Sequence, residues 1–336
     1  MVVDCAFYSR GERQPTEGMT LEEAAACPRR GNNFVWIELH EPSKEVMADV
    51  SRHFELHELA VEDAAHAHQR PKVEPYDDFY FIVYKAARYD EPTKRVVFGE
   101  LDIFLGPGFV LAVRHGEAAD PERARRHLEQ HPQLLKSGPA AAVWAILDTV
   151  VDDYRPVLDG LERDIEEAER AIFAGGQDVT ERLYLLKTEI NEVYRAVHPL
   201  LPPLEALERG AFQPVDPGLL RYFRDITDHV RRMQEEIVAQ RDQLISVLEA
   251  HLSLISLRQS EIAAEQSRAV RKLTLVATVF LPLSFITGFF GQNFGWLVEH
   301  IDSFAAFALL GLGGLLAACA VLLVWFRESR LAAPGQ

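Results

Sequence analysis

The sequence predicts three parts in chain order: an α/β domain, a long-helix region and two C-terminal transmembrane helices. Three observations support this prediction. Strand-like and helix-like segments are mixed up to residue 135, all later segments look helical, and the last quarter contains two long uncharged apolar spans. The chain has 336 residues, 48% of them hydrophobic, which is enough for about two domains with a buried core.

Residues 1–135 are expected to form a cytosolic α/β domain with a mixed sheet. Runs rich in β-branched and aromatic residues predict strands at 34–37, 79–84, 96–105 and 109–113. Helix-start signals predict helices at 43–54 and 121–131. The sequence shows no grouping of nucleophile, base and oxyanion donors, so an enzyme is not expected.

Residues 140–215 are expected to form a cytosolic helical hairpin. A helix at 140–174 ends at two glycines, and a second helix at about 178–209 returns antiparallel to it. The first helix is rich in carboxylates, which are Asp148, Asp152, Asp153, Asp159, Glu162, Asp164, Glu166, Glu167 and Glu169. Such a row is either a solvated helix face or a platform for divalent cations.

A third, very long helix is expected over residues 216–292. Asp216 is a suitable N-cap before Pro217. No Gly or Pro occurs between Leu219 and Leu281, and these roughly 63 residues would make a rod of about 95 Å. Because a helix of that length does not fit inside one compact globule, we expect it to pack against other subunits.

Two transmembrane helices are expected at the C-terminal end. The uncharged runs 273–298 and 303–326 each provide the roughly 20 residues that cross a hydrocarbon core, and Pro282 is tolerated in a membrane helix. The first transmembrane helix would be about 273–292, the last part of the long helix. An outer loop at 293–302 would join it to the second, at 303–326, before a cytosolic tail at 327–336.

The distribution of basic residues predicts the orientation in the membrane. Lys and Arg lie just before the first span and just after the second, whereas the connection between the spans contains neither. Because basic flanks stay in the cytoplasm, both termini should be cytoplasmic. The N-terminus shows no signal-peptide pattern, which agrees with a cytosolic N-terminal part. We therefore expect a multi-pass protein of the inner (plasma) membrane, with the lipid bilayer as a partner.

The formal net charge of −16 argues against a nucleic-acid partner and is compatible with collecting cations.

Alternating steps of four and three along the long helix define a stripe that we call the seam. Its residues are small, hydroxylated or acidic, with two larger apolar members: Glu235, Ala239, Asp242, Ser246, Glu249, Ser253, Ser256, Ser260, Ala263, Ser267, Val270, Thr274, Ala277, Leu281, Ser284 and Gly288.

The composition of the seam suggests a water-filled pore. A helix interface would place Leu or Ile at these positions. Solvent exposure would explain the cytosolic half, and close helix packing would explain the membrane half. Symmetric helices around a pore explain both halves with one geometry. Hydroxyls would then contact hydrated ions, acidic residues would favour cations, and Val270 and Leu281 would form apolar constrictions.

Three segments of the sequence resemble the CorA family of divalent metal-ion transporters. They are HELAVEDAAHAHQRPKVEPYDDFYFIVY at 57–84, LDTVVDDYRPVLDGLERDIEEAE at 147–169 and LTLVATVFLPLSFITGFFGQNFGW at 273–296. The resemblance covers essentially the whole chain and implies a funnel-shaped homopentamer whose stalk helix becomes the pore-lining helix. It implies influx of Mg²⁺, with Co²⁺ or Ni²⁺ as further substrates, and gating by cytosolic divalent ions. No permanently bound cofactor is expected.

The family's Gly-Met-Asn signature corresponds here to Gly291, Gln292 and Asn293. The resemblance implies that Asn293 and Gly291 form a selectivity filter for hydrated cations at the outer mouth. This chemistry suits Mg²⁺, which gives up its waters reluctantly. Glu299 loosely matches the family's acidic loop residue and, with Asp302, would attract cations; a solvated loop carboxylate is the alternative.

The sequence departs from the family pattern inside the pathway. Gln292 replaces the signature methionine, Ser267 and Val270 replace an asparagine and a methionine before the membrane, and Ser256 stands at a family aspartate position. Relatives such as the ZntB branch also vary the middle signature residue and move zinc with protons. Proton-coupled Zn²⁺ transport and a non-conducting, membrane-anchored regulatory protein are therefore the alternative functions.

The acidic residues of the hairpin and the lower stalk are the candidates for cytosolic metal sensing. The residues singled out as metal ligands are Asp242, Glu235 and Asp153.

Overall fold

The computed structural model describes residues 2–16, 18–67, 69–118, 120–175, 179–208, 216–292, 295–300 and 303–331. The chain divides into two compact units, Met1–Ala250 and His251–Gln336. The α/β domain predicted at 1–135 and the helical hairpin predicted at 140–215 both lie within the first unit.

The first unit is built on a seven-stranded sheet. Its strands are β1 (Val2–Ser9), β2 (Glu12–Arg13), β3 (Phe34–His40), β4 (Lys72–Pro75), β5 (Tyr80–Asp90), β6 (Arg95–Gly106) and β7 (Phe109–His115). Their spatial order is β2-β1-β3-β7-β6-β5-β4. The β3–β7 pair is parallel and the other pairs are antiparallel, which confirms the predicted mixed sheet.

The four predicted strands all form, and three strands come in addition. β1, β2 and β4 were not expected from the sequence, because β2 and β4 are short and β1 mixes Asp4 into an apolar run. β1 nevertheless lies between β2 and β3, where Ala6 and Tyr8 are buried. Neighbouring strands therefore stabilise a segment whose own sequence pattern is weak.

Five helices belong to the α/β part. They are α1 (Leu21–Ala26), α2 (Lys44–Phe54), α3 (Glu58–Ala65), α4 (Pro121–Glu129) and α5 (Pro132–Leu135). The two predicted helices are confirmed as α2 and α4. Their caps explain where they begin, since Ser43 accepts a hydrogen bond from the Val46 amide and Asp120 accepts one from the Arg123 amide. α2 and α3 bury Met47, Val50 and Ala60 in the core under the sheet.

The helical hairpin packs on the same sheet. Its first helix is α6 (Pro139–Phe173), whose Tyr154 hydroxyl donates to the Lys85 carbonyl of β5 at 2.8 Å. The return is α7 (Thr180–Val197), a 3₁₀ turn (His198–Leu200) and α8 (Leu201–Glu208). The return predicted as one helix at 178–209 is helical from 180 to 208, but a 3₁₀ turn divides it near Pro199, Pro202 and Pro203, which lack the amide hydrogen that an α-helix needs. Residues 178 and 209, the predicted ends of the return helix, lie outside the described residues.

The long helix α9 (Leu220–Phe290) has 71 residues and passes Pro282 without ending. The long unbroken helix predicted from the sequence is confirmed. The boundary between the compact units falls within α9, after Ala250. The second unit continues with α10 (Gly295–His300), α11 (Phe304–Phe307), a π-helical turn (Ala308–Leu312) and α12 (Gly313–Leu331).

Two helical segments are long and apolar enough to cross a membrane, one in α9 and one at Phe304–Leu322. They agree with the predicted spans, although α12 continues beyond residue 326. Within the predicted outer loop at 293–302, residues 295–300 form the short helix α10.

Candidate functional site

The seam lies on a single helix, α9, and is exposed along its whole length from Glu235 to Gly288. In the first unit this exposure is selective. The opposite face of α9 buries Ile237, Leu244 and Val247, and the Gln240 side chain donates to the Leu158 carbonyl of α6 at 3.0 Å. The acidic half of the seam therefore points away from the core of its own chain.

Exposure in the second unit is not selective. The seam residues Ser256, Ser267, Val270 and Ser284 are exposed, and so are residues on the other faces of α9, such as Phe285. In this segment, the seam is distinguished from the other faces by its chemistry rather than by its burial.

Several hydroxyls of the seam donate to the helix that bears them. Ser246 donates to the Asp242 carbonyl at 3.1 Å, Ser260 to Ser256 at 2.9 Å and Thr274 to Val270 at 2.9 Å. Because the hydroxyl hydrogen is used in this bond, the oxygen presents its lone pairs outward. Such oxygens accept hydrogen bonds from water. The water molecules bound to a hydrated cation can donate the same hydrogen bonds.

Part of the seam also lines an open cavity of about 460 Å³ within the second unit. Thr274, Ala277 and Leu281 form its wall together with Leu322 of α12. These three residues therefore lie opposite α12 within the chain, and their assignment to a pore wall stays a prediction.

Gly291 and Gln292 of the signature directly follow the C-terminal end of α9. The Gly291 amide donates to the Thr287 carbonyl at 3.0 Å, and the Gln292 amide donates to the Phe289 carbonyl at 3.3 Å. A Cβ atom at Gly291 would lie 3.0 Å from the Thr287 oxygen, which is tight and favours glycine. Asn293 lies outside the described residues, so the selectivity ring stays a prediction.

The predicted cation-attracting residues differ in where they lie. Glu299 is an exposed residue of helix α10 rather than of a loop. Asp302 lies outside the described residues. Both assignments stay predictions.

Basic residues pair with some of the carboxylates of α6. Four of them form short ion pairs: Asp153 with Arg123 at 2.6 Å, Asp159 with Arg155 at 2.6 Å, Asp164 with Arg182 at 2.5 Å and Glu167 with Lys94. Asp164 is buried and also accepts a hydrogen bond from the Tyr89 hydroxyl at 2.6 Å. The row is therefore divided: these four carboxylates have basic partners, whereas Asp152, Glu162 and Glu166 are exposed. The choice between a solvated face and a cation platform stays a prediction.

The three residues proposed from the sequence as metal ligands do not form a group. Asp153 pairs with Arg123, and burial raises the pKa of its carboxyl despite that nearby charge. Glu235 and Asp242 are exposed members of the seam on α9. Within the described residues, none of the three belongs to a set of metal-binding side chains close enough to share an ion.

One acidic group in the described part of the chain does have suitable spacing. Carboxylate oxygens of Asp159, Glu162 and Glu236 all lie within 4.8 Å of one another. Arg155 already pairs with Asp159 at 2.6 Å and with Glu236 at 2.8 Å, so a divalent ion would have to displace a guanidinium. The sequence placed Asp159 and Glu162 one helical turn apart, but it gave no sign that Glu236, rather than Glu235, faces them.

Comparisons with known proteins agree with this architecture. Residues 31–328 match the family model described as CorA-like Mg²⁺ transporter protein. The chain is 27% identical to the cobalt/magnesium transport protein CorA of Thermotoga maritima, covering 94% of this chain and 88% of that protein. It is 30% identical to the putative metal ion transporter YfjQ of Bacillus subtilis, covering 87% of this chain and 88% of that protein.

A solved structure supports the same fold. The complete structure of the CorA magnesium transporter from Methanocaldococcus jannaschii aligns with a TM-score of 0.65 at 20% identity. The alignment covers 98% of this chain and 99% of that chain. Since the family model covers most of the sequence, the chain belongs to the CorA family of divalent cation transporters.

Proposed function

We propose that the protein mediates influx of Mg²⁺, with Co²⁺ and Ni²⁺ as further substrates, through a homopentameric pore in the inner membrane. The observation that supports this proposal is the seam. It keeps one register on α9, is exposed throughout and presents small, acidic and hydroxylated side chains from Glu235 to Gly288. Five copies around an axis would line a polar passage with these residues.

Selection at the outer mouth is assigned to Asn293, next to Gly291 and Gln292. Mg²⁺ keeps several of its waters, so a ring of amide oxygens can accept hydrogen bonds from those waters without removing them. The selectivity of such a ring comes from the size and hydration of the ion, and it needs no formal charge. Glu299 and Asp302 raise the local cation concentration nearby.

Passage along the pore is assigned to the seam hydroxyls and to two apolar positions. The oxygens of Ser246, Ser260 and Thr274 are free to accept hydrogen bonds from a hydrated ion, because each hydroxyl hydrogen is used within α9. Val270 and Leu281 are the constrictions, since rings of apolar side chains close a pore by excluding water.

Cytosolic divalent ions would stabilise the closed state by binding acidic residues at subunit interfaces, for which Asp242, Glu235 and Asp153 are the candidates. Weak binding is sufficient, because the free-energy differences at several equivalent sites add. Both termini face the cytoplasm in this proposal, as the basic flanks of the two spans favour.

The test is ion flux into proteoliposomes that contain the full-length protein. Mg²⁺, Co²⁺, Ni²⁺ and Zn²⁺ are each measured with and without a proton gradient. We expect Mg²⁺ entry that does not need the gradient and that falls by about tenfold or more in Asn293→Ala, as for loss of a hydrogen bond to a charged species. Asn191→Ala is the matched control, because the Asn191 side-chain amide donates to the Lys187 carbonyl within α7, away from the signature sequence.

Equal Mg²⁺ flux in Asn293→Ala and in the unmodified protein would contradict the role of Asn293. Zn²⁺ entry that disappears without a proton gradient would replace the magnesium proposal by proton-coupled zinc transport. Gln292, which stands in the middle of the signature, is the residue that favours this alternative. Absence of flux for all four ions would indicate a non-conducting regulatory protein.

A further inference from the structure

The first unit contains a cavity of about 740 Å³ that the transport proposal does not use. Its walls come from the segment before β4, from β5 and β6, and from the end of α7 with the following 3₁₀ turn. Small-molecule sites in proteins have volumes of about 300–1,000 Å³. The cavity therefore has the size of a site for an organic ligand rather than for a single ion. We call it the basic cavity.

Two arginines give the basic cavity its charge. Arg70 and Arg195 both line it, and within the described part of the chain neither guanidinium has a hydrogen-bond or ion-pair partner. The carboxylate in the lining is Glu192, one helical turn from Arg195. Both arginine side chains are exposed, so a ligand can reach their guanidiniums from solvent.

A third cation and a buried carboxylate hold the wall in place. Lys85 lines the basic cavity, and its Nζ lies 3.1 Å from Oε2 of Glu100, which is 3% exposed. The other oxygen of Glu100 accepts a hydrogen bond from the Gln69 amide at 3.2 Å. The backbone of Gln69 is thus held against the sheet, which also fixes the backbone position of the following residue, Arg70.

The opposite wall is fixed as well. His198 stacks on Tyr194, with ring centroids 4.9 Å apart and an interplanar angle of 12°, and its Nδ1 is hydrogen-bonded to the Gln234 amide. Both rings line the basic cavity close to Arg195 in the sequence. Polar groups that are positioned before a ligand arrives lower the entropy cost of binding it.

The lining also includes an apolar part, formed by Phe98, Pro71 and Pro199. A guanidinium presents paired N–H donors that match the oxygens of a phosphate group. Inorganic phosphate would fill only a small part of the volume and would leave the apolar wall without contacts. A ligand that joins phosphate to a flat, weakly polar ring would use both parts.

We propose that the basic cavity binds a nucleotide, with its phosphates against Arg70 and Arg195 and its base against Phe98 and the two prolines. This site is separate from the seam, and the inference does not rest on the proposed transport function. It would give the cytosolic part of the transporter a ligand other than a divalent cation.

The test is isothermal titration of the purified full-length protein in detergent with ADP, in EDTA so that no divalent ion contributes. Adenosine and pyrophosphate are titrated in parallel. We expect saturable binding of ADP that is at least about tenfold tighter than that of either fragment. Arg70→Gln and Arg195→Gln should each weaken ADP binding by about tenfold or more, as expected for loss of charge-assisted hydrogen bonds.

Arg126→Gln is the matched control, because Arg126 is an exposed arginine of α4 near Asp120 and Glu122 and does not line the basic cavity. It should bind ADP like the unmodified protein. Absence of saturable ADP binding would overturn the proposal, and so would equal weakening by Arg126→Gln. Pyrophosphate that binds as tightly as ADP would overturn the assignment of a base to the apolar wall. None of these readouts involves ion flux, so their failure leaves the transport proposal unaffected.

Discussion

The two compact units differ in what covers their apolar side chains. In the first unit, Trp36, Phe81 and Phe104 are completely buried by the sheet and its helices. In the second unit, the most apolar window of α9 contains no residue buried within the chain. The first unit therefore supplies its own core, whereas the apolar surface of the second requires lipid or other copies of the chain to cover it.

The units also differ in where the partners of their polar side chains lie in the sequence. The first buries charged residues and pairs them across long sequence distances, as Arg125 does with Glu38 at 3.0 Å. The second satisfies its hydroxyls within one helix, as Thr287 does with the Leu283 carbonyl at 2.9 Å. Substitutions should therefore have long-range effects in the first unit and local effects in the second.

The largest expected difference concerns the same substitution made in both units. Phe104 is 0% exposed and Phe285 is 73% exposed. Phe104→Ala should lower the free energy of unfolding by about 3–5 kcal/mol, because it leaves a cavity in a closed core. Phe285→Ala should cost less than about 1 kcal/mol. Urea unfolding of the full-length protein in detergent, followed by tryptophan fluorescence, measures both.

A cost for Phe285→Ala as large as that for Phe104→Ala would contradict the comparison. It would show that the face of α9 bearing Phe285 is packed as tightly by neighbouring chains as the interior of the first unit.

The second prediction concerns pH and a buried pair in the sheet. Burial raises the pKa of Asp102 to about 6, and the neighbouring Asp102 carboxylate raises the pKa of His115. His115 Nε2 lies 3.5 Å from Asp102 Oδ2 and 2.9 Å from the Ala64 carbonyl oxygen. Both groups thus bind protons more strongly in the folded state than in the unfolded state, so rising pH should destabilise the first unit.

The stabilising effect at Asp102 is complete below about pH 4 and is lost as the pH rises past about 6, a change of up to about 3 kcal/mol. Asp102→Asn removes this titration, so the urea midpoint should fall less between pH 4 and pH 7. Asp49→Asn, at a partly exposed position of α2, serves as the control and should show the same fall of the urea midpoint with pH as the unmodified protein. If the urea midpoint of Asp102→Asn fell with pH as much as that of the unmodified protein, this pair would not determine the pH dependence of stability.

The smallest expected effect on stability is in the seam. Thr274→Val removes one hydroxyl at nearly constant volume, so the unfolding free energy should change by no more than about 0.5 kcal/mol. Mg²⁺ flux in proteoliposomes should fall by about threefold to tenfold, which corresponds to one lost hydrogen bond of about 1 kcal/mol.

Thr287→Val is the matched control for the seam prediction, since Thr287 lies on α9 outside the seam and also donates within the helix. It should leave flux unchanged. Equal loss of flux in the two variants would contradict the seam as the surface that contacts the ion.

Local sequence signals predicted much of the fold correctly. The absence of Gly and Pro from Leu219 to Leu281 predicted one long helix, and α9 confirms it. Serine and aspartate caps fixed where α2 and α4 begin. β1 was missed because its burial depends on β2 and β3 rather than on its own pattern. The break after α7 was missed although the prolines that cause it are visible in the sequence.

The sequence by itself determined the long helix, the two apolar spans, the family and the position of the seam. These properties depend on helical period, on the lack of helix breakers and on motifs of neighbouring residues. Only the tertiary structure decided that Arg123 neutralises Asp153, that Glu236 faces Asp159, and that Arg70 and Arg195 line one cavity. The reason is physical: such contacts join side chains distant in sequence, and their distances are set by how α6, α7 and α9 pack.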